Sequence, residues 1–214
     1  MARAKTYESR SSTGSVRRWM LIPIGVALLI AGAAAWTYYK QRYPAWYEEV
    51  RLSDGRVITI RQEHEYYENY GTNQSWVEID LPELGGKKVW HSYLIPQRVD
   101  VYQGKVYVFG MPGGDRQYQF YADPKNFLVG FAWDGSAFAR IPFLEIPSVV
   151  RQEENLYSCI PPMRAQVLSL KLKDKQWCPP KGDDAQFTRR INLPAFQLLA
   201  IQYSKRAGGH PGSD

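Results

Sequence analysis

The sequence predicts a mainly β protein that begins with one transmembrane helix and ends with one amphipathic helix. Three observations predict this fold class. The 21 residues from Trp19 to Tyr39 contain no charged side chain. The chain after them alternates apolar and polar residues around turn sequences. Near the C-terminus the apolar spacing becomes that of a helix.

These observations divide the chain into five segments. In order, they are a cytoplasmic polar arm, a transmembrane signal-anchor helix, a linker, an extracytoplasmic β-rich domain and a disordered tail: 1–18, 19–39, 40–46, 47–206 and 207–214. The β-rich domain is expected to be antiparallel, and its pattern allows a sandwich, a meander or a partly open barrel.

The apolar run has the length of a membrane span. As a helix, 21 residues extend roughly 32 Å, which matches a hydrocarbon core of about 30 Å. Basic and aromatic residues at its two ends are expected to lie at the membrane interface. They are Arg17, Arg18, Trp19, Trp36, Tyr38 and Tyr39. Basic residues before the run favour an N-terminus in the cytoplasm and a domain beyond the inner membrane, in the periplasm or extracellular space.

A cleavable signal peptide is the alternative interpretation of this run. The sequence AGAAAW offers small residues for cleavage after Ala33 or Ala35. The arm before the run is long for a signal peptide, and the run exceeds the roughly 7–15 residues of a usual apolar region. We therefore predict a retained anchor, and the bilayer is a predicted partner through residues 19–39.

The net charge of +6 belongs to the membrane flanks. Seven of the 27 basic residues and one of the 21 acidic residues precede residue 44, which leaves 20 of each sign in 44–214. A domain that binds nucleic acid needs a basic surface, because its affinity comes largely from counterion release. The neutral domain therefore argues against nucleic acid as a partner.

The two cysteines, Cys159 and Cys178, are predicted to form a disulfide if the domain is exported. Closing a loop of about 20 residues would stabilise the fold by roughly 3 kcal/mol. No suitably spaced histidines accompany them. The sequence therefore predicts no metal site and no cofactor.

Turn sequences mark several hairpins in the domain. Asp54-Gly55, Gln103-Gly104 and Asp134-Gly135 each lie between runs of strand-forming residues. In the last region, Phe196, Leu199, Ala200 and Tyr203 recur at helical spacing. We expect one amphipathic helix over 194–206 that packs on the sheet.

No catalytic motif occurs in the chain. His64 and His91 lie in predicted strands, and His64 stands between two glutamates. A histidine–carboxylate pair can act as a base, but we interpret His64 as the solvated edge of a strand. The sequence therefore identifies no catalytic residue.

Aromatic residues are abundant: 30 of 214, of which 15 are tyrosine. Such residues can stack on glycan rings or bind a partner, although cross-strand packing is the simpler interpretation. A polar, Gly- and Asn-containing segment predicts an exposed binding loop with Tyr66, Tyr67, Tyr70 and Trp76.

The combined expectation is a single-pass envelope protein whose β-rich domain serves in protein interaction, as an accessory, scaffold or protective factor. An envelope protein is the expected partner. An exported hydrolase or carbohydrate-active enzyme is one alternative. A soluble periplasmic ligand-binding protein is the other, if the N-terminal segment is cleaved.

Overall fold

The computed structural model describes residues 15–67, 71–122, 124–159, 161, 167–175 and 190–208, with the side chains of 15–22, 67, 207 and 208 left out. The chain forms two units, one ending at Gln41 and the other beginning at Arg42.

One long helix, α1, Ser15–Arg42, forms the described part of the first unit, and its last residue is the first residue of the second unit. It includes the whole of the predicted span 19–39 and the first residues of the predicted linker 40–46. Within the described part of the chain, no helix combines the length and the apolar character that crossing a membrane requires.

The second unit is mainly β, as predicted, and contains nine strands in two sheets with three helices. The strands are β1 Ala45–Arg51, β2 Val57–Tyr67, β3 Gly71–Leu81, β4 Gly86–Ser92, β5 Leu94–Tyr102, β6 Lys105–Pro112, β7 Val129–Trp133, β8 Phe138–Ile141 and β9 Val167–Leu168. The helices are α2 Asp115–Phe120, α3 Leu170–Lys175 and α4 Leu193–Gly208, and 3₁₀ turns cover Pro82–Leu84 and Phe143–Glu145. These counts refer to the described residues.

The first sheet has five strands in the order β4-β3-β2-β1-β9, and only the β1–β9 pair is parallel. The second has four antiparallel strands in the order β5-β6-β7-β8. All three predicted turns form hairpins. At the tip of the β5–β6 hairpin, Gln103 and Gly104 both have positive φ, +51° and +74°, as tight two-residue hairpin turns require.

The two sheets pack against each other through one apolar core. The five-stranded sheet contributes side chains such as Ile60, Val77 and Trp90, and the four-stranded sheet contributes side chains such as Val99 and Phe131. In the five-stranded sheet these residues alternate along their strands with outward-facing ones, which explains the period-two pattern in that part of the sequence. The opposite face of the five-stranded sheet therefore remains outside this core.

A second core lies on the other face of the four-stranded sheet, where helices cover it. Phe196 and Ala200 of α4 are buried there, and Leu199 and Tyr203 pack against the same cluster. The predicted apolar face of the C-terminal helix is therefore the face that packs. Tyr118 of α2 fixes the two helices together, because its hydroxyl contacts the Ala200 carbonyl and Ser204 Oγ, each at 3.0 Å.

Candidate functional site

The outer face of the five-stranded sheet carries a row of side chains that crosses all five strands. In register, the row runs Val89, Glu78, Arg61, Tyr47 and Val167. Tyr47 is 50% exposed and Val89 is 46% exposed. Apolar side chains thus stand at both edges of the face and charged ones between them. We call these five residues the outer row.

A second row lies one step further along the same face. Trp76 is directly opposite His91 in register, and their rings stack with centroids 4.8 Å apart and planes 4° apart. Gln74 Oε1 and His91 Nε2 lie 2.8 Å apart. Each ring therefore covers one face of the other.

An aromatic rim continues from this row around the end of the sheet. The Tyr93 ring lies 6.1 Å from the His91 ring and 4.9 Å from the Phe120 ring. Helix α2 is held beside β3 because Gln117 Nε2 donates to the carbonyls of Thr72 and Asn73, at 2.8 and 3.1 Å. Phe120 remains 64% exposed.

Glu65 organises the end of the five-stranded sheet. Its buried carboxylate accepts hydrogen bonds from Arg42 at 2.7 Å, Tyr43 at 3.0 Å, Asn73 at 2.6 Å and Gln74 at 2.8 Å. Burial raises the pKa of Glu65, but these donors outweigh that effect and lower its pKa to about 2. Glu65 is therefore ionised, and its carboxylate holds these four side chains together at this end of the sheet.

A chain of buried polar groups runs along the inner side of the same sheet. Gln62 Nε2 donates to Glu48, so Gln62 Oε1 accepts from His64 Nε2 at 2.8 Å. His64 Nδ1 then accepts from the Tyr66 hydroxyl at 3.3 Å. At the other end, Glu48 pairs with Lys173 at 2.7 Å. Both ring nitrogens of His64 are thus engaged in its neutral form.

Burial shifts the pKa values of the titratable groups in this series of hydrogen bonds. It lowers the pKa of His64 to about 3 and keeps the ring neutral. It also raises the pKa of Glu48, an effect that the charge of Lys173 opposes. Burial raises the pKa of Tyr66 as well, so its hydroxyl stays a donor. The prediction that His64 forms a solvated strand edge is wrong, because the alternation of β2 turns it inward.

The nearest cavity, of about 460 Å³, lies beside the Lys173 end and includes Arg98 and Asn155 in its lining. Its buried polar groups already have partners. Lys173 Nζ donates to the carbonyls of Glu49 and Asn155 as well as to Glu48. Arg98 binds Asp100, and Asn155 bonds to backbone groups on both sides. These groups are engaged in holding the fold.

The predicted binding loop is only partly described. Tyr66 contacts the inward-facing His64, whereas Trp76 stacks on the outward-facing His91, so these two predicted residues lie on different sides of the sheet. The side chain of Tyr67 and the whole of Tyr70 lie outside the described residues. The predicted binding loop therefore stays a prediction. In the structure, Trp76 belongs to a series of ring contacts that continues through His91, Tyr93 and Phe120.

The structure describes one of the two predicted disulfide cysteines and three of the six predicted interface side chains. Cys159 is described and is not a free thiol, while Cys178 lies outside the described residues, so their pairing stays a prediction. Of the predicted interface residues, Trp36, Tyr38 and Tyr39 are exposed on α1. The side chains of Arg17, Arg18 and Trp19 lie outside the description.

Sequence reasoning missed the rim and the outer row. Tyr93 and Phe120 are 27 residues apart in the sequence and meet only through the packing of α2. For the outer row, the strand alternation was a usable signal, because it places Arg61 and Tyr47 on one face once the hairpin register is known. The parallel pairing with Val167 has no comparable local signal.

The described part of the chain contains no group of three or more His, Cys, Asp or Glu side chains that could hold a metal ion. No protein-family model, no curated protein and no solved structure matches the chain.

Proposed function

We propose that this protein is a single-pass envelope protein, anchored in the inner membrane by residues 19–39, whose β-rich unit binds an envelope protein through the outer row. Its N-terminus would be cytoplasmic and the unit would lie in the periplasm or extracellular space. The observation that carries the binding role is the open outer face of the five-stranded sheet, with Tyr47 and Val89 about half exposed.

The character of α1 supports the anchor. Every described side chain from Pro23 to Gln41 is exposed. Consecutive helical residues are separated by about 100°, so the exposed apolar side chains Leu28, Leu29 and Ile30 point in different directions. A helix that is apolar on all sides requires an apolar environment all around it.

The end of α1 supports the same proposal. Trp36 and Tyr39 have ring centroids 6.3 Å apart, and Lys40 Nζ lies 5.2 Å from the Trp36 ring centroid. Aromatic rings next to a basic side chain are typical of the membrane–water interface. This composition follows the apolar stretch directly, as expected where a span ends.

The composition of the outer row supports protein recognition. Tyrosine and valine at its edges supply apolar contact area, and the charged pair Arg61–Glu63 beside them supplies orientation. Catalysis by His64 is less well matched, because its ring is fully buried and both nitrogens are engaged.

The anchor is tested on the full chain expressed in a bacterial cell. We expect the protein to sediment with membranes, resist alkaline extraction and keep its original N-terminus. A mature N-terminus at Ala34 or Trp36 would refute the anchor, because cleavage after Ala33 or Ala35 would release the unit.

The binding role is tested by photo-crosslinking from single positions of the full chain. A p-benzoylphenylalanine at Tyr47 or Val89 is expected to capture the same envelope protein. The matched control is Leu198, which is 60% exposed and lies on α4, one of the helices that cover the four-stranded sheet. Equal capture from all three positions, or none from Tyr47 and Val89, would refute the outer row as the binding surface.

A further inference from the structure

We infer that the aromatic rim of Tyr93 and Phe120, with the neighbouring Arg116, lies against the lipid headgroups of the membrane that holds the anchor. This inference rests on the proposed anchor and adds a second membrane contact, made by the β-rich unit itself. The bilayer is the molecule that we expect to contact this surface. A protein partner bound to the rim would contradict the inference.

The exposure of the rim is the first observation. Phe120 is 64% exposed and Tyr93 is 37% exposed, although their rings touch edge to face. Tyr121 holds both residues in place: its ring contacts Phe120 at 5.1 Å and its hydroxyl accepts a hydrogen bond from the Tyr93 amide at 3.1 Å. These contacts hold Tyr93 and Phe120 in place, and both residues still remain partly exposed to solvent.

The position of the rim is the second observation. Arg42 is the first residue of the β-rich unit and binds Glu65. Glu65 accepts from Gln74, Gln74 contacts His91, and the His91 ring neighbours the Tyr93 ring. A continuous series of contacts therefore places the rim at the same end of the sheet as the point where the chain enters the unit.

The chain length between the span and this point limits its distance from the bilayer. Tyr39 is the last residue of the predicted span, and Arg42 follows three residues later. Three residues extend at most about 11 Å even when fully stretched. The headgroup layer itself occupies roughly 5–8 Å on each side of the hydrocarbon core. Residues at the Arg42 end are therefore held near headgroup depth.

The chemistry of the rim fits that depth. Tyrosine and phenylalanine place an apolar ring among the upper acyl chains, and the exposed Arg116 can meet phosphate groups. The outer row is further away along the strands: Val89 precedes His91 by two residues, which corresponds to about 7 Å. The rim and the outer row can therefore contact the bilayer and a protein at the same time.

The test uses the full chain reconstituted in vesicles of phosphatidylethanolamine and phosphatidylglycerol. A p-benzoylphenylalanine replaces Phe120 in one protein and Leu198, which is similarly exposed, in the other. After irradiation, mass spectrometry measures lipid adducts. We expect a lipid adduct from position 120 that exceeds that from position 198 several-fold. Similar adduct from both positions, or none from 120, would overturn the inference.

A second readout separates this inference from the proposed anchor. Sedimentation of the same vesicles reports whether the chain is membrane-bound. A chain that sediments but gives no lipid adduct at 120 contradicts the rim contact alone. A chain that stays in the supernatant contradicts the anchor, and the rim inference fails with it. In cells, a protein adduct in place of a lipid adduct at 120 would assign the rim to a partner.

Discussion

Replacing His64 by glutamine should remove part of the acid sensitivity of the β-rich unit. His64 is fully buried, stacks against Trp46 at 4.9 Å and uses both ring nitrogens as a neutral group. Glutamine offers one amide donor and one carbonyl acceptor in the same region and does not titrate. The variant therefore tests the cost of protonating the buried ring.

The magnitude follows from the pKa values. The pKa of this imidazole is ordinarily 6.5 and is lowered by burial to about 3 in the fold. Because the unfolded chain binds the proton more readily, this contribution to stability is complete above pH 6.5 and is lost as the pH falls towards 3. The loss is about 1.4 kcal/mol per pH unit. Between pH 7.5 and pH 5 it amounts to about 2 kcal/mol.

The assay is urea unfolding of the full chain in a mild detergent, followed by tryptophan fluorescence at pH 7.5 and pH 5. We expect the free energy of unfolding of the natural protein to fall by about 2 kcal/mol more than that of His64→Gln. Glu48, whose pKa is raised by burial, is present in both proteins and cancels in the comparison.

His91→Gln is the matched control, because His91 is exposed on the outer face. Burial lowers the pKa of His91 too, but its ring is more exposed than that of His64, so His91→Gln should remove less of the pH dependence than His64→Gln. If His64→Gln and the natural protein lose stability in parallel between pH 7.5 and pH 5, the reasoning about a buried neutral histidine is refuted.

Three further substitutions test other contacts by the same unfolding assay. Lys173→Met should cost about 3–5 kcal/mol, because it leaves the buried carboxylate of Glu48 without its cation. Glu65→Gln should cost about 2–3 kcal/mol at pH 7; since its folded pKa of about 2 is depressed, the difference from the natural protein should vanish as the pH falls from 4.5 towards 2. Gly110→Ala should cost about 1–3 kcal/mol, because its Cβ would meet the Ile95 carbonyl at 2.7 Å.

Each of these changes has a matched control at a more exposed position. Lys87→Met breaks an exposed pair with Glu78, and Glu63→Gln weakens the partly exposed pair with Arg61, so each should cost at most about 1 kcal/mol. Gly114→Ala adds a methyl group with nothing within 4 Å. A control that destabilises as much as its counterpart would contradict the role assigned to burial.

The strands and hairpins were predictable because their signals are local. Gly55, Gly104 and Gly135 have positive φ in the structure, and each lies at a turn that the sequence marks beside Asp or Gln. The C-terminal helix was predictable for the same reason, since the spacing of Phe196 and Ala200 reports one face of a helix. Turn chemistry and periodicity act over a few residues and need no knowledge of the fold.

The candidate site was less predictable because it depends on register and on distant packing. The acidic neighbours of His64 in the sequence suggested that its side chain is exposed to solvent. Alternation along β2 instead turns His64 inward beside Gln62. Glu65 is then buried as well, and a register irregularity follows it at Tyr66. Only the pairing of strands decides which of these adjacent residues faces the interior.

The buried polar groups share a function that explains why they need not be catalytic. Segment 153–157 is irregular; the amides of Asn155 and Leu156 donate to the Gln97 carbonyl of β5, and other backbone groups of the segment bond to side chains. Arg98 donates to the Glu153 carbonyl, Lys173 donates to the Asn155 carbonyl, and Glu48 accepts from the Tyr157 amide.

An unpaired backbone group in this position would cost about as much as a lost hydrogen bond, so charged side chains complete what a regular strand would otherwise provide. Removing one such side chain should therefore weaken the fold without altering the outer row. The buried groups of this unit are directed at its own backbone, so the proposed contacts with other molecules are assigned to exposed side chains: Tyr47 and Val89 for the outer row and Phe120 for the rim.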